Sequence, residues 1–469
     1  MAVRLVPGTG PDRCLAPGGG GNHEGVLAAS VGDDYLFVLD GGAALPDPCS
    51  RFQPEGVRGA SRIVDAAGFE VAPGPALARD ELVVYELHVG TFSNAGTFAG
   101  VEPHLAALRE LGVTAIELMP VATFPGDRGW GYDGLYLYAP HPAYGGPEGL
   151  AHLVDAAHRA GLGVILDVVF NHLGPGSEQI TAFGPYVTDR FQTPWGGAID
   201  YSRPAVREWA IQNAEQWVRD YRVDGLRLDA VFAIFDDESP KHVLAELRER
   251  LPETLLIAEQ EPGNLRPIDE WGFDVQWADE FHHELHVALT GEQHGYYGGY
   301  GSLDGLAAQY ERTPAEALVY CSQNHDQVGN RPFGDRPPPD ELELRAHALL
   351  FAPQTPLLFM GEEYGEQSPF QFFTDHIDPA IAEATREGRR REFAFAGEVP
   401  DPQALETFEN SKLSRQERPG MRELYTELLR LRRELPREAR ARADRSTVTV
   451  QRGDHELVLD FERRSARLT

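Results

Sequence analysis

Cysteine is scarce in this chain, with Cys14, Cys49 and Cys321 the 3 present in 469 residues. An odd number at irregular spacing suggests neither a disulfide framework nor a zinc site, so free thiols are expected. Long apolar runs are missing too. The opening MAVRLVPGTGPDRC holds no stretch fit for a signal peptide, and no window approaches the ~20 apolar residues of a membrane span. That reads as a soluble, cytoplasmic protein with no membrane partner. Positive charge is the third deficit: 42 Lys and Arg against 73 Asp and Glu give a net charge of -31. Phosphate backbones need clustered Lys and Arg, so no nucleic-acid partner is expected, and a neutral or cationic ligand fits better. Solubility is the simpler account of the acidic excess.

What is present divides the chain in three. Residues 1 to 80 are rich in Gly and Pro, with a run at Pro17 to Gly21 and short strand-like stretches at Tyr35 to Leu39 and Arg62 to Asp65. This predicts a small β module. The Gly run lacks the Gly-Lys-Ser/Thr ending of a phosphate-binding loop, so it reads as a flexible turn. Over residues 81 to 435, strand-length apolar runs alternate with amphipathic stretches, the pattern of parallel β/α units. Eight runs occur: VVYELHV, VTAIEL, GVILDVVF, VDGLRLDAV, LLIAE, FDVQWAD, ALVYCSQ and TPLLFMGEE. Eight units predict a closed (β/α)8 barrel in the α/β class. Helices are expected at Phe98 to Leu111, Pro147 to Ala160, Ala205 to Tyr221, His242 to Arg250 and Met421 to Glu434. The connection from Asn171 to about Tyr201 is too long for an ordinary loop and is expected to overhang the barrel mouth. Residues 436 to 469 close the chain with a charged stretch and a strand pair turning at Gly453 and Asp454, a short β module.

Four strand ends carry the chemistry: DVVFNH at 167 to 172, GLRLDA at 225 to 230, LLIAE at 255 to 259 and QNHD at 323 to 326. Side chains at the carboxyl ends of barrel strands converge on one face, so one pocket can hold Asp229, Glu259 and Asp326. Retaining glycoside hydrolysis needs such a set: a carboxylate nucleophile and a carboxylic acid ~5–5.5 Å apart. Arg227 lies two residues before Asp229 and therefore points the same way, where it can hold that carboxylate. Glu259 follows four apolar residues, surroundings that raise a carboxyl pKa as a proton donor requires. His325 beside Asp326, and His172 on the third strand, can bond sugar hydroxyls. Asp167, within its strand, reads as a structural acid. Any one strand-end acid alone is better read as a helix cap or ion-pair partner; the ordered set reverses that weighting.

These motifs resemble, in order, the four of the alpha-amylase family of glycoside hydrolases, and the match spans residues 81 to 435. The resemblance implies Asp229 as nucleophile, Glu259 as general acid/base, Asp326 as transition-state stabiliser, and Arg227, His172, His325 and the Tyr132 of GWGYDG as sugar contacts. Longer segments, among them GWGYDGLYLYAPHPAYGGPEGL, WADEFHHELHVALTGE and HDQVGNRPFGDR, are similar to one branch. Its members hydrolyse the α-1,4 bond next to the terminal trehalose of maltooligosyltrehalose, releasing trehalose and a maltooligosaccharide. That implies an oligosaccharide substrate supplied by a maltooligosyltrehalose synthase. The family's first module is a carbohydrate-binding β-sandwich, shortened here at its start. Two departures stand out: Phe232 where the branch has His, and Gln260-Glu261 where it has Ser-Asp. Glu261 then faces the same way as Glu259 if the strand continues, and Glu259 is preferred because it directly follows the apolar run.

Neither a metal nor a cofactor is expected. His282 and His286 stand one helical turn apart, as metal ligands can, but structural histidines account for them better. Some members of the wider family bind calcium near the Asn171 position, a need the branch lacks. Trp195, Tyr186, Phe370, Phe372 and Phe373 are candidate sugar platforms, with packing equally able to explain each. Two other functions fit parts of this pattern. One is a different α-1,4-glucan enzyme of the same barrel, a branching enzyme or an amylase; the other is a non-catalytic glucan-binding protein, disfavoured because all three acids are present.

Overall fold

The computed structural model describes residues 3–8, 12–19, 22–193 and 195–469. Eight parallel strands close into a barrel: β1 (Val84–Leu87), β2 (Ala115–Leu118), β3 (Gly163–Val168), β4 (Gly225–Leu228), β5 (Leu255–Ala258), β6 (Val275–Trp277), β7 (Leu318–Cys321) and β8 (Thr355–Phe359). Each pairs with its successor in sequence and β8 returns to β1. All eight expected runs are barrel strands.

The strands alternate in a way that places the site. Val84, Ala115, Ile165, Ile257, Val275 and Val319 form a separate apolar cluster inside the barrel. Two residues further along the same strands come Glu86, Glu117, Asp167, Glu259, Trp277 and Cys321, which a period of two turns to the same interior. The lower layer is therefore hydrocarbon and the upper layer mostly acid. The acids are placed by the same alternation that packs the core.

Helices form near the expected positions, at Gly146–Arg159, Pro204–Asp220, Val243–Arg250 and Met421–Glu434. The helix expected over Phe98 to Leu111 is split into Phe98–Val101 and Leu105–Leu111 by a tighter turn at Glu102–His104. Pro103 sits in that turn; it has no N–H to give a continuous helix. The loop after β3 contains a hairpin, Val187–Thr193 against Gly196–Ile199. No helix among the described residues is long and apolar enough to cross a membrane.

The N-terminal segment forms a five-stranded antiparallel sheet built on Asp34–Leu39. The strand expected at Arg62 to Asp65 shrinks to Ser61–Arg62, because Asp65 instead accepts the N–H of Ala67 at 3.1 Å and starts a short helical turn. Of the turn expected at Pro17 to Gly21, Gly20 and Gly21 lie outside the described residues. Phe37 of this sheet packs edge-on against Phe183 of the long loop, ring centres 5.9 Å apart. The C-terminal sheet has four antiparallel strands, Arg440–Asp444, Thr447–Arg452, His455–Asp460 and Ser465–Leu468. The middle two are the expected pair. Val448, Val450, Leu457 and Leu459 form its buried face.

Candidate active site

Arg227 is the centre of the upper layer. It is fully buried and its guanidinium lies over the Trp277 ring at 4.2 Å. Nη1 donates to Asp167 at 2.8 Å and to Asp229 at 3.0 Å, while Nη2 donates to Glu259 at 2.7 Å. One cation thus spans three carboxyl groups. The second oxygen of Asp229 accepts from Asn171 Nδ2 at 2.7 Å, so the group is fixed from two sides. Ala230 adopts a left-handed conformation, φ 40°, that an alanine rarely takes,. Its N–H consequently points at Glu259 Oε2, 2.9 Å away.

A second chain of bonds reaches the other acids. Glu86 on β1 accepts the His325 N–H at 2.8 Å and bonds its Nδ1 at 2.5 Å. His325 Nε2 lies 2.7 Å from the Tyr132 hydroxyl and 3.4 Å from Asp326. The Tyr132 hydroxyl in turn donates to Asp167 at 2.7 Å. Burial opposes a charge on His325, but Asp326 and Glu86 outweigh it and lift its pKa to about 10. The imidazolium donates from both nitrogens, which sets the direction of the whole chain. Asp326 is tied on its other side by Asn330 Nδ2 at 2.9 Å.

With so many acids around two cations, some carboxyls keep their protons. Burial, then the charges of Asp229 and Asp326, raise Glu259 to about 8 against the pull of Arg227. Burial and Asp229 likewise raise Asp167 to about 7. Glu259 retains side-chain exposure of 20%, so its carboxyl reaches the cleft. The site offers an aimed carboxylate and an acid that is protonated at neutral pH, on either end of one guanidinium.

The family model for the alpha-amylase catalytic domain matches residues 80–185. A malto-oligosyltrehalose trehalohydrolase of Deinococcus radiodurans is 45% identical over 93% of this chain and 79% of its own length. One from Saccharolobus solfataricus is 42% identical over 86% and 78%. The chain belongs to the malto-oligosyltrehalose trehalohydrolase family. A crystal structure of a putative alpha amylase from Salmonella typhimurium superposes with a TM-score of 0.91 at 36% identity, covering 98% of this chain and 89% of that one.

Within this trehalohydrolase-family fold, all seven site residues expected from sequence gather at the carboxyl ends of the strands or the loops beside them: Asp229, Glu259, Asp326, Arg227, His172, His325 and Tyr132. Glu261 is exposed in the loop after β5, its N–H held by its neighbour Gln260 at 2.8 Å, and it is not among the main charges acting on Glu259. Asp167, read as structural, is inside the network. Sequence reasoning missed Glu86, Glu117 and Asp279. Each is an acid in or beside an apolar strand, at the parity of the lumen, and that parity was the available signal. Burial, then Glu86, raises Glu117; burial, then Asp326, raises Asp279 to about 7.

The aromatic candidates separate. Phe370 and Phe373 are fully buried, and Tyr186 packs edge-on to Trp209 at 5.2 Å. They are core. Trp195 stays 48% exposed and stacks on His172 with ring centres 4.7 Å apart. The hairpin carrying it is held by Phe191 stacked on Phe235 at 4.8 Å. Trp195→Ala is expected to raise KM about tenfold with kcat little changed, the loss of one stacking face; an unchanged KM in initial-rate measurements would remove Trp195 from the substrate path. His282 and His286, by contrast, bond Ser322 O at 3.0 Å and Glu292 at 2.9 Å and serve packing. Asn171 is engaged by Asp229 and His172. The cysteines are free.

Proposed function

We propose that this chain hydrolyses the α-1,4 bond next to the terminal trehalose of maltooligosyltrehalose with retention at the anomeric carbon, releasing trehalose and a maltooligosaccharide. The observation that carries the reading is the Arg227 guanidinium binding Asp229 through one nitrogen and a protonated Glu259 through the other. Asp229 attacks C1 of the glucose before the trehalose unit while the Glu259 proton passes to the glycosidic oxygen. The bond breaks and trehalose leaves with that proton as its new hydroxyl. Glu259, now a carboxylate, takes a proton from water, whose oxygen attacks C1 and releases Asp229 and the maltooligosaccharide. Asp326 stabilises the positive charge on the ring, and Tyr132, His172 and His325 contact the sugar.

The relatives' names favour this substrate over plain α-glucan, and its supply requires a preceding enzyme, a maltooligosyltrehalose synthase, that turns the reducing end of a glucan into trehalose. Free thiols fit a cytoplasmic setting,. Any sugar-binding role of the N-terminal module belongs to the same reading. Product analysis tests it: maltotriosyltrehalose is expected to give free trehalose and maltotriose, with maltopentaose cut far more slowly. Equal cleavage of both assigns a general amylase, and longer branched products assign a branching enzyme.

A further inference from the structure

At the foot of the barrel, opposite the acids, lies a cavity of about 420 Å³ between the starts of β1 and β2, the helix Leu105–Leu111, the helix Met421–Glu434 and the C-terminal sheet. Five arginines line it: Arg109, Arg432, Arg433, Arg437 and Arg452. In a chain with 73 acidic residues against 42 basic ones, such a cluster calls for an account. None of the five is in an ion pair among the described residues, whereas Arg430 of the same helix pairs with Glu434 at 3.0 Å.

The five fall into two groups. Arg432 and Arg452 are buried, and Arg437 is half-buried. They donate to main-chain carbonyls: Arg452 to Phe351 and Pro436 at 3.0 and 2.9 Å, Arg437 to Pro353 at 3.0 Å, and Arg432 to Ala352 and Gln354. Carbonyl dipoles at helix ends offset part of this charge. The remainder stays uncompensated: burial and the Arg437 charge push Arg452 down to about 10, and burial with Arg452 and Arg437 pushes Arg432 below its ordinary range. Asp80 and Glu81 also border the cavity, and Asp80 and Glu316 act on Arg437 without an ion pair. Arg109 and Arg433 are exposed at the rim. Each spends one nitrogen on a carbonyl, Arg109 on Val113 at 3.4 Å and Arg433 on Gly112 at 3.3 Å. Their other N–H groups remain for a ligand.

We propose that this cavity binds a small organic phosphate. Fixed buried guanidiniums supply a positive background, and two adjustable forks at the rim match the geometry of phosphate oxygens. Val83, Leu429 and Leu435 on the wall accept an apolar body beside the charged head. The site stands apart from the glycosidic cleft, on the opposite end of the strands.

The test is titration calorimetry of the full chain at low salt with three probes, pyrophosphate, ADP and glucose 6-phosphate. At least one is expected to bind saturably, and Arg109→Ala with Arg433→Ala is expected to weaken it at least tenfold. Arg390→Ala with Arg391→Ala, on an exposed helix face elsewhere, should leave it unchanged. ADP as the tightest ligand would identify a nucleotide, glucose 6-phosphate a sugar phosphate, and pyrophosphate recognition of the head alone. Arg433→Gln, which removes the charge but keeps a polar amide on the stem, provides a second variant whose melting point confirms the fold. No saturable binding of any probe would overturn the proposal, as would equal weakening by the control pair, the mark of a diffuse field.

Discussion

Glu259→Gln is expected to lower turnover of maltotriosyltrehalose about a thousandfold or more, the scale of a lost general acid. Gln keeps an oxygen that can accept from Arg227 Nη2 and the Ala230 N–H, the two bonds that hold Glu259 at 2.7 and 2.9 Å. The fold should therefore survive and only the proton be lost. α-Maltosyl fluoride separates the two roles, because fluoride departs without protonation; its kcat/KM, which reports formation of the covalent intermediate, should fall ~10-fold or less, while kcat falls with the lost general base. The pH profile supplies the sign. As the proposed proton donor, Glu259 must act in its protonated form, which it loses near pH 8, so wild-type kcat/KM is expected to fall as pH rises through that value. In the variant the fluoride reaction loses that limb. Equal losses on both substrates would sink the assignment of Glu259 as acid. Asp229→Asn makes the complementary case: both substrates should fail, since neither can form the covalent intermediate.

Arg227→Leu is expected to cost about 3–5 kcal/mol of stability along with activity, because it leaves buried acids without their cation. Asp167, Asp229 and Glu259 all lose a donor at 3.0 Å or less. The deficit should depend on pH. Without Arg227 the raised pKa values of Asp167 and Glu259 rise further above those of the unfolded chain, so folding binds protons and stability recovers as pH falls through the raised values,. Urea denaturation at pH 8 and pH 5.5 checks this: the gap between wild type and variant should narrow at the lower pH. A gap of the same size at both would mean that the cost is packing against Trp277 rather than charge.

Much of this arrangement was readable from the sequence, and the parts that were not share a cause. Periodicity two fixed the barrel runs and put Arg227 and Asp229 on one face, because barrel strands are short and regular and close on themselves. The same rule applied to β1 would have marked Glu86, but an acid inside VVYELHV looks like an interruption until the seventh strand brings His325 beside it. That contact joins residues 239 apart in the chain, and no local pattern reports it. The strand Arg440–Asp444 was hidden differently: Arg-Ala-Arg-Ala-Asp alternates correctly, but its inward residues are alanines too small to register as an apolar stripe. Glu259 over Glu261 was decided by where the strand stops, which the apolar run LLIA marked and the structure places at Ala258.

The edge-on contact between Phe37 and Phe183 links the first sheet to the loop whose hairpin presents Trp195. A boundary drawn near residue 80 therefore cuts through a mechanical strut. Removing the first sheet would take away that contact and leave one wall of the mouth without its brace. Damage to the first sheet should register as poorer grip on long substrates before it registers as slower bond cleavage.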